Sequence, residues 1–325
     1  MRARITLLQA LLGLLTTLFG WPTRASETPE DLPWAHLSRK LEKINDLDFI
    51  HRTLDRELPG FTAQLKEDAR KPELLSLWGL SRNIDESHLT DRQKTVPPSL
   101  LRFFNSILKV PYDSGFEVGH AGLTHTYGYL FSTLSTPYGF KRARYVRGEM
   151  ERGLGLPVGL LNGRHPEGSL LLNLTLLAGP IAFRDDAESL EKLQTLRRNL
   201  NQHLGATHSQ PREIDALLNF QFTKLHPRTL IESSGSPEKV LLEFRTDWVP
   251  YPAGSGALLI HSIKTTKKRK SVNQLITVFP VNEGFADSLF DPKTLGDAVE
   301  IKLRYNAMLP FELQAPLTGR RYILP

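Results

Sequence analysis

The sequence predicts an α+β protein: an N-terminal helical portion, then a mainly antiparallel β-sheet or barrel with a helix pair inserted. Three observations carry this. Apolar residues recur every three or four positions in the first third and again near residues 186–220. From Lys239 onward, strand-length β-branched runs follow one another. Between these regions lie turn-rich strings such as Pro111-Tyr112-Asp113-Ser114-Gly115 and Pro137-Tyr138-Gly139.

The chain begins with Arg2 and Arg4, an apolar run from Ile5 to Trp21, Pro22, and the small-x-small triplet Thr23-Arg24-Ala25. That order of charge, apolar stretch and small residues is the layout of a secretory signal peptide over residues 1–25, cleaved after Ala25. The expected destination is the periplasm or the medium. The alternative is an uncleaved anchor, since about 17 apolar residues is the lower edge of a spanning length.

Residues 26–110 read as the helical portion. Leu37, Leu41, Ile44, Leu47, Ile50, Leu54 and Leu58 form one stripe, which predicts a single helix over 34–58, stopped at Pro59-Gly60. Pro98 opens a second helix running to Val110, with Leu100, Leu101, Phe104, Ile107 and Leu108 as its apolar face. Residues 111–325 read as the mainly antiparallel β portion. Thr124–Leu134, Phe140–Met150 and Ser169–Ala178 have strand texture. Leu190, Leu193, Leu196, Leu200 and Leu204 predict a helix over 186–204 stopped by Gly205, and Pro211 opens a short companion helix to Phe220. Val240–Val249, Ala257–Thr265, Val272–Val281 and Ala298–Tyr305 are the clearest strands. The middle two are expected to pair as a hairpin across the loop Thr266–Ser271.

Composition narrows the classes of function. With 40% hydrophobic and 23% charged residues the chain is ordinary globular material. The net charge of +6 includes Arg2, Arg4 and Arg24; without the leader it falls to +3, a weak basic excess for a nucleic-acid binder. There is no cysteine, which excludes disulfides, cysteine–metal sites and a cysteine nucleophile. In an exported chain this favours bacterial export, because small secreted animal domains are disulfide-dense. The sequon Asn173-Leu174-Thr175 lies inside an apolar run and reads as chance.

Chemistry-bearing residues crowd into 112–165. Glu117, His120 and His125 supply a carboxylate and two imidazoles within nine residues, the ligand types for a divalent metal such as zinc once cysteine is absent. His120 and His125 are the expected metal ligands. In an extended strand their odd offset would place them on opposite faces, so the site needs Gly119 and Gly122 to turn the chain. No His-Glu-x-x-His is present, and hydrogen-bonded loop histidines are the plainer alternative. Next comes the charged run Lys141–Arg152. Read as a strand, it sets Glu149 and Glu151 about 7 Å apart on one face, a separation that suits paired carboxylates. A salt-bridged edge strand satisfies the same pattern.

Glu117, His120, His125 and Glu149 are therefore the candidate catalytic residues, and Tyr127, Arg144 and Arg147 the candidate substrate contacts. Two classes stay open: a hydrolase acting on a polar or anionic substrate, and a non-catalytic envelope or ligand-binding protein that recognises an anionic ligand or partner. The basic run Lys267, Lys268, Arg269 and Lys270 could contact an anionic envelope surface, or be a solvated turn. Other motifs fail. Ser236-Pro237-Glu238-Lys239 precedes a strand and has no Lys-Thr-Gly, Gly153–Gly159 lacks the dinucleotide spacing, and no Gly-x-Ser-x-Gly occurs.

Export is directly checkable. Protein recovered from its native host should begin at Ser26 on N-terminal sequencing, whereas a chain still starting at Met1 would indicate the anchor.

Overall fold

The structure is a computed structural model. It describes residues 32–81, 97–108, 119–120, 126, 130–131, 145, 147–161, 169–207, 213–221, 228–235, 240–252, 256–282, 299–301 and 317–324. The signal-peptide segment, residues 1–25, lies outside them. Among the described residues no helix is long and apolar enough to cross a membrane.

The N-terminal part is helical, in more pieces than the apolar stripe predicts. Helix α1 spans Leu32–Leu41 and α2 spans Leu47–Glu57. The single helix expected over 34–58 is interrupted because Asp46 caps α2, its side chain accepting from the N–H groups of Asp48 and Phe49 at 2.9 and 3.1 Å. Helices α3 (Phe61–Ala69) and α4 (Pro72–Ser76) follow, and then α5 (Pro98–Leu108), which begins at the expected proline. Phe61, Phe104 and Phe131 pack edge-on or tilted, with ring centroids 5.5–6.3 Å apart. Leu41 accepts from the hydroxyl of Ser99 and Phe131 from that of Ser38, which ties α1 to α5 and to the helical turn holding Leu130 and Phe131.

Two short strands, β1 (Leu80–Ser81) and β2 (Gly119–His120), pair antiparallel. Three strand expectations then fail. Thr126, Leu130 and Phe131 are helical. In the stretch Phe140–Met150, Tyr145 is helical, and Gly148 turns the chain at φ +67° into helix α6 (Glu149–Leu154). Only glycine suits that position, since a side chain there would be strained and would meet Val158 Cγ1 at 2.6 Å. Finally, Ser169–Ala178 is not a strand but the start of helix α7 (Leu170–Ala182), capped by the Ser169 hydroxyl accepting from Leu172 N–H at 2.8 Å. Every residue of α7 except Pro180 is buried. Asn173 and Thr175 are among them, so the sequon is inside the core.

Helices α8 (Ala187–Thr207) and α9 (Glu213–Leu218) form the expected pair, although α8 runs through Gly205 rather than stopping there. Strands β3 (Arg228–Gly235), β4 (Val240–Pro250), β5 (Ala257–Lys267), β6 (Lys270–Val281), β7 (Val299–Ile301) and β8 (Leu317–Leu324) build one antiparallel sheet in the order β6-β5-β4-β3-β8-β7. The sheet is open, with β6 and β7 at its two edges, so the barrel alternative does not hold. The expected β5–β6 hairpin is present and longer than its sequence signal. Lys267 pairs with Lys270, which leaves a two-residue turn of Lys268 and Arg269 instead of a six-residue loop. Of the run Ala298–Tyr305, only Val299–Ile301 lies within the described residues.

Helices and sheet share one hydrophobic cluster reaching from Leu37 in α1 to Val278 in β6. The free edge of β6 is partly covered from the helical side. Leu275 N–H donates to Leu77 O at 2.7 Å and Gly79 N–H donates to Leu275 O at 2.8 Å, a parallel bridge around Trp78. Three consecutive residues between α7 and α8 fasten the helical layer to the sheet. Arg184 pairs with the fully buried Asp247 of β4 at 3.1 Å, and Asp185 with Arg245 at 2.7 Å. Asp186 accepts from Asn273 N–H of β6 at 3.2 Å and from the hydroxyl of Ser189 at 2.9 Å. Ala257, Leu259 and Val281 form a smaller cluster, against which Trp248 and Phe279 pack.

Tyr251, the residue after β4, docks on α6. A Cβ at Gly153 would overlap the Tyr251 ring, so the two elements meet only because Gly153 has no side chain. Gly153→Ala should cost about 1–3 kcal/mol in denaturant unfolding, although alanine is the better helix former. In a Tyr251→Ala background the same change should cost much less, and a double-mutant cycle reads that coupling.

Candidate functional site

The segment expected to carry chemistry is described mainly at its C-terminal end. Glu117, His125, Tyr127 and Arg144 lie outside the described residues, and of His120 only the backbone is described, extended opposite Leu80. Arg147 and Glu149 are placed. They flank Gly148 at the start of α6, and both are partly exposed. Glu149 lies in the first turn of α6, where a negative charge suits the helix N-terminus. The expected carboxylate pair is not formed as predicted. Glu149 and Glu151 sit two apart on a helix, which points them in different directions, and Glu151 is turned wholly inward at 0% exposure.

Glu151 is the residue around which this region is organised. A Schellman motif ends α6: Leu156 N–H donates to Glu151 O at 2.8 Å and Gly155 N–H to Arg152 O at 3.2 Å, with Gly155 left-handed at φ +71°. The chain then passes Pro157 and returns beneath the helix. There Gly159 N–H and Leu161 N–H both donate to Glu151 Oε1, at 3.1 and 3.0 Å. The carbonyl in the Leu160–Leu161 peptide accepts from Asn173 Nδ2 of α7 at 2.9 Å. One peptide unit is thus gripped on its N–H side by Glu151 and on its C=O side by Asn173. The outer atoms of both grips, Glu151 Oε2 and Asn173 Oδ1, are buried and have no hydrogen-bond partner among the described residues.

Burial pushes the Glu151 carboxyl above its usual range. The N–H groups of Leu161 and Gly159 and the charge of Arg152 pull the other way and do not prevail. Tyr145, fully buried, donates its hydroxyl to Val278 O of β6. Its phenol is pushed up by burial first, then by Tyr251 and Glu151, which places each of these two within electrostatic reach of Tyr145. The arrangement is a buried carboxyl on the inner side of α6, within electrostatic reach of the buried Tyr145 phenol, with Arg147 and Glu149 at the start of the helix.

Sequence reasoning weighed Glu151 only as the partner of Glu149 on a strand. The signals that could have found its role are the glycines at 148, 155 and 159, since a carboxylate set among such glycines is well placed to be wrapped by backbone N–H groups. The zinc expectation rests on donor chemistry, with His120 and His125 as its ligands. Among the described residues no three histidine, aspartate or glutamate side chains gather as a metal site. No family model matches the chain, and neither a curated protein nor a solved structure matches it significantly.

The raised Glu151 carboxyl predicts a pH dependence. At low pH both folded and unfolded chains hold the proton. As pH rises past the ordinary value of 4.5, the unfolded chain releases it first, so stability falls until the folded group also ionises. Glu151→Gln keeps an oxygen for Gly159 and Leu161 and has no proton to release. The stability difference between variant and parent, from denaturant midpoints at stepped pH, should shift in favour of the variant as pH rises from about 4.5.

Proposed function

We propose that this chain is an exported globular hydrolase acting on a polar or anionic substrate in a cleft built by residues 112–165. In this reading Glu117, His120, His125 and Glu149 carry the chemistry, and Tyr127, Arg144 and Arg147 hold the substrate. A divalent metal on His120 and His125 would supply a polarised water. What supports the reading is that a buried carboxyl with a raised pKa, Glu151, lies inside that segment, two residues from Glu149 on α6, with one oxygen unpartnered among the described residues. Perturbed carboxyls gather at functional sites because catalysis needs acids and bases poised away from their solution values. The role of Glu151 here is to hold the platform. Its two backbone contacts fix the loop 155–161 beneath α6, so Arg147 and Glu149 project from a supported surface.

The non-catalytic reading, an envelope or ligand-binding protein, has one observation in its favour. Glu151 is 0% exposed and already occupied with backbone, as a purely structural carboxyl would be.

Assays separate the two. The purified protein without residues 1–25 should turn over at least one class among chromogenic carboxylic esters, phosphate esters and glycosides. Glu149→Gln should lower kcat by about 10²-fold or more while leaving the melting temperature unchanged. No turnover in any class, together with saturable binding of an anionic ligand, would establish the binding protein instead.

A further inference from the structure

The tip of the β5–β6 hairpin has a composition that its backbone geometry opposes. Lys268 and Arg269 occupy both central positions of the two-residue turn with φ +49° and +69°. Positive φ at both positions makes this a type I′ turn, for which Asn-Gly is the favoured pair because other side chains crowd the backbone there. Two long cationic residues take the strained places instead. Lys267 and Lys270 stand directly opposite each other across the last rung, an arrangement of like charges that is itself unfavourable. Lys268, Arg269 and Lys270 are exposed, and none of them forms an ion pair among the described residues.

Fold stability therefore does not account for four successive cations at this tip, and strain retained at an exposed turn points to use. Immediately behind the tip are two of the large apolar side chains that stay exposed. Val272 of β6 is 48% exposed beside Thr265, and Leu241 of β4 is 45% exposed beside Thr266. Adjacent rungs of a sheet face opposite ways, so the basic tip has one apolar shoulder on each face of the hairpin. Cations at the end with apolar side chains just behind them match the layering of a lipid interface, where phosphates lie outside acyl chains. An anionic polysaccharide or nucleic acid would use the cations and leave both shoulders wet.

We propose that the β5–β6 hairpin tip, Lys267–Lys270 with Val272 and Leu241, docks this protein on membranes bearing anionic lipid headgroups. The inference is independent of the catalytic reading and of the residues invoked for it.

Cosedimentation with vesicles tests it. The full chain without residues 1–25 should bind phosphatidylglycerol–phosphatidylcholine vesicles, and only weakly those of phosphatidylcholine alone. Binding should weaken steeply with salt. The double change Lys268→Asn with Arg269→Gly installs the favoured turn pair, so the hairpin should melt no lower than in the parent. Each lost charge should reduce vesicle affinity about fivefold, or about 25-fold together. Val272→Thr should weaken binding to vesicles without affecting the retention of the protein on a heparin column. Unchanged vesicle binding by the Asn-Gly variant would overturn the proposal. So would tighter binding to heparin than to vesicles, or complete displacement from vesicles by inorganic phosphate at matched ionic strength.

Discussion

Helix α7 is buried at every residue but Pro180, and most of the architecture follows from that. Leucines at 170, 171, 172, 174, 176 and 177 surround the helix axis, and each is buried. At on the order of 2 kcal/mol for each buried leucine side chain, the helix is stable only when enclosed on every side. The enclosure comes from α8 and α9 and from strands β5 and β6. Burial also leaves two polar side chains that need partners inside the protein. Asn173 finds Leu160 O. Thr175 accepts from Trp78 Nε1 at 2.8 Å and donates to Leu171 O at 2.7 Å. These bonds draw in the loop below α6 and the end of the N-terminal helical layer. Because Trp78 is held there, its neighbours Leu77 and Gly79 are in place to pair with Leu275 on the sheet edge.

A second constraint acts at the other end of α7. Arg184, Asp185 and Asp186 each reach a different point on the sheet or cap the next helix. Asp247 is fully buried and Arg245 nearly so, whereas their partners Arg184 and Asp185 are partly exposed. Such half-buried pairs lose solvation on one member only, and their geometry fixes register more than it adds stability. Alternation along β4 explains how they can meet. Arg245, Asp247 and Val249 share the helix-facing side of the strand, while Phe244, Thr246 and Trp248 share the other.

What could be read from the sequence was the periodic and β-branched parts. The helices at 98–108, 187–207 and 213–218 follow from apolar spacing and their prolines, and the β5–β6 hairpin from two β-branched runs close together in sequence. The α7 run was misread because a short apolar stretch looks alike as a buried helix and a buried strand. Composition settles it. Leu170 to Phe183 is rich in leucine rather than valine or isoleucine, and Ser169 is a ready cap. The single helix expected over 34–58 had the right stripe, but a stripe does not register a break whose two halves keep the same face buried. Asp46, a capping residue inside the stripe, was the available sign. At the candidate site, the clustering of charged residues near Arg147 and Glu149 was legible. The inward turn of Glu151 was not, because it depends on three glycines and on a loop returning from ten residues away.

The choice of glutamate at 151 separates two demands that are easily confused. Holding Gly159 and Leu161 needs only one acceptor oxygen, which glutamine would also provide. Glutamine would bring two further N–H donors into a place where the second oxygen of Glu151 already lacks a partner. A protonated carboxyl brings one donor and an ionised carboxyl brings none, so glutamate fits the site in either state with less left unsatisfied. Ionisation then sets a negative charge within electrostatic reach of Tyr145, and burial resists that charge. Burial thus favours the neutral form, while the N–H groups of Leu161 and Gly159 favour the ionised one. The surface bearing Arg147 and Glu149 is thus joined through Glu151, the Leu160–Leu161 peptide and Asn173 to the most deeply buried of the described helices.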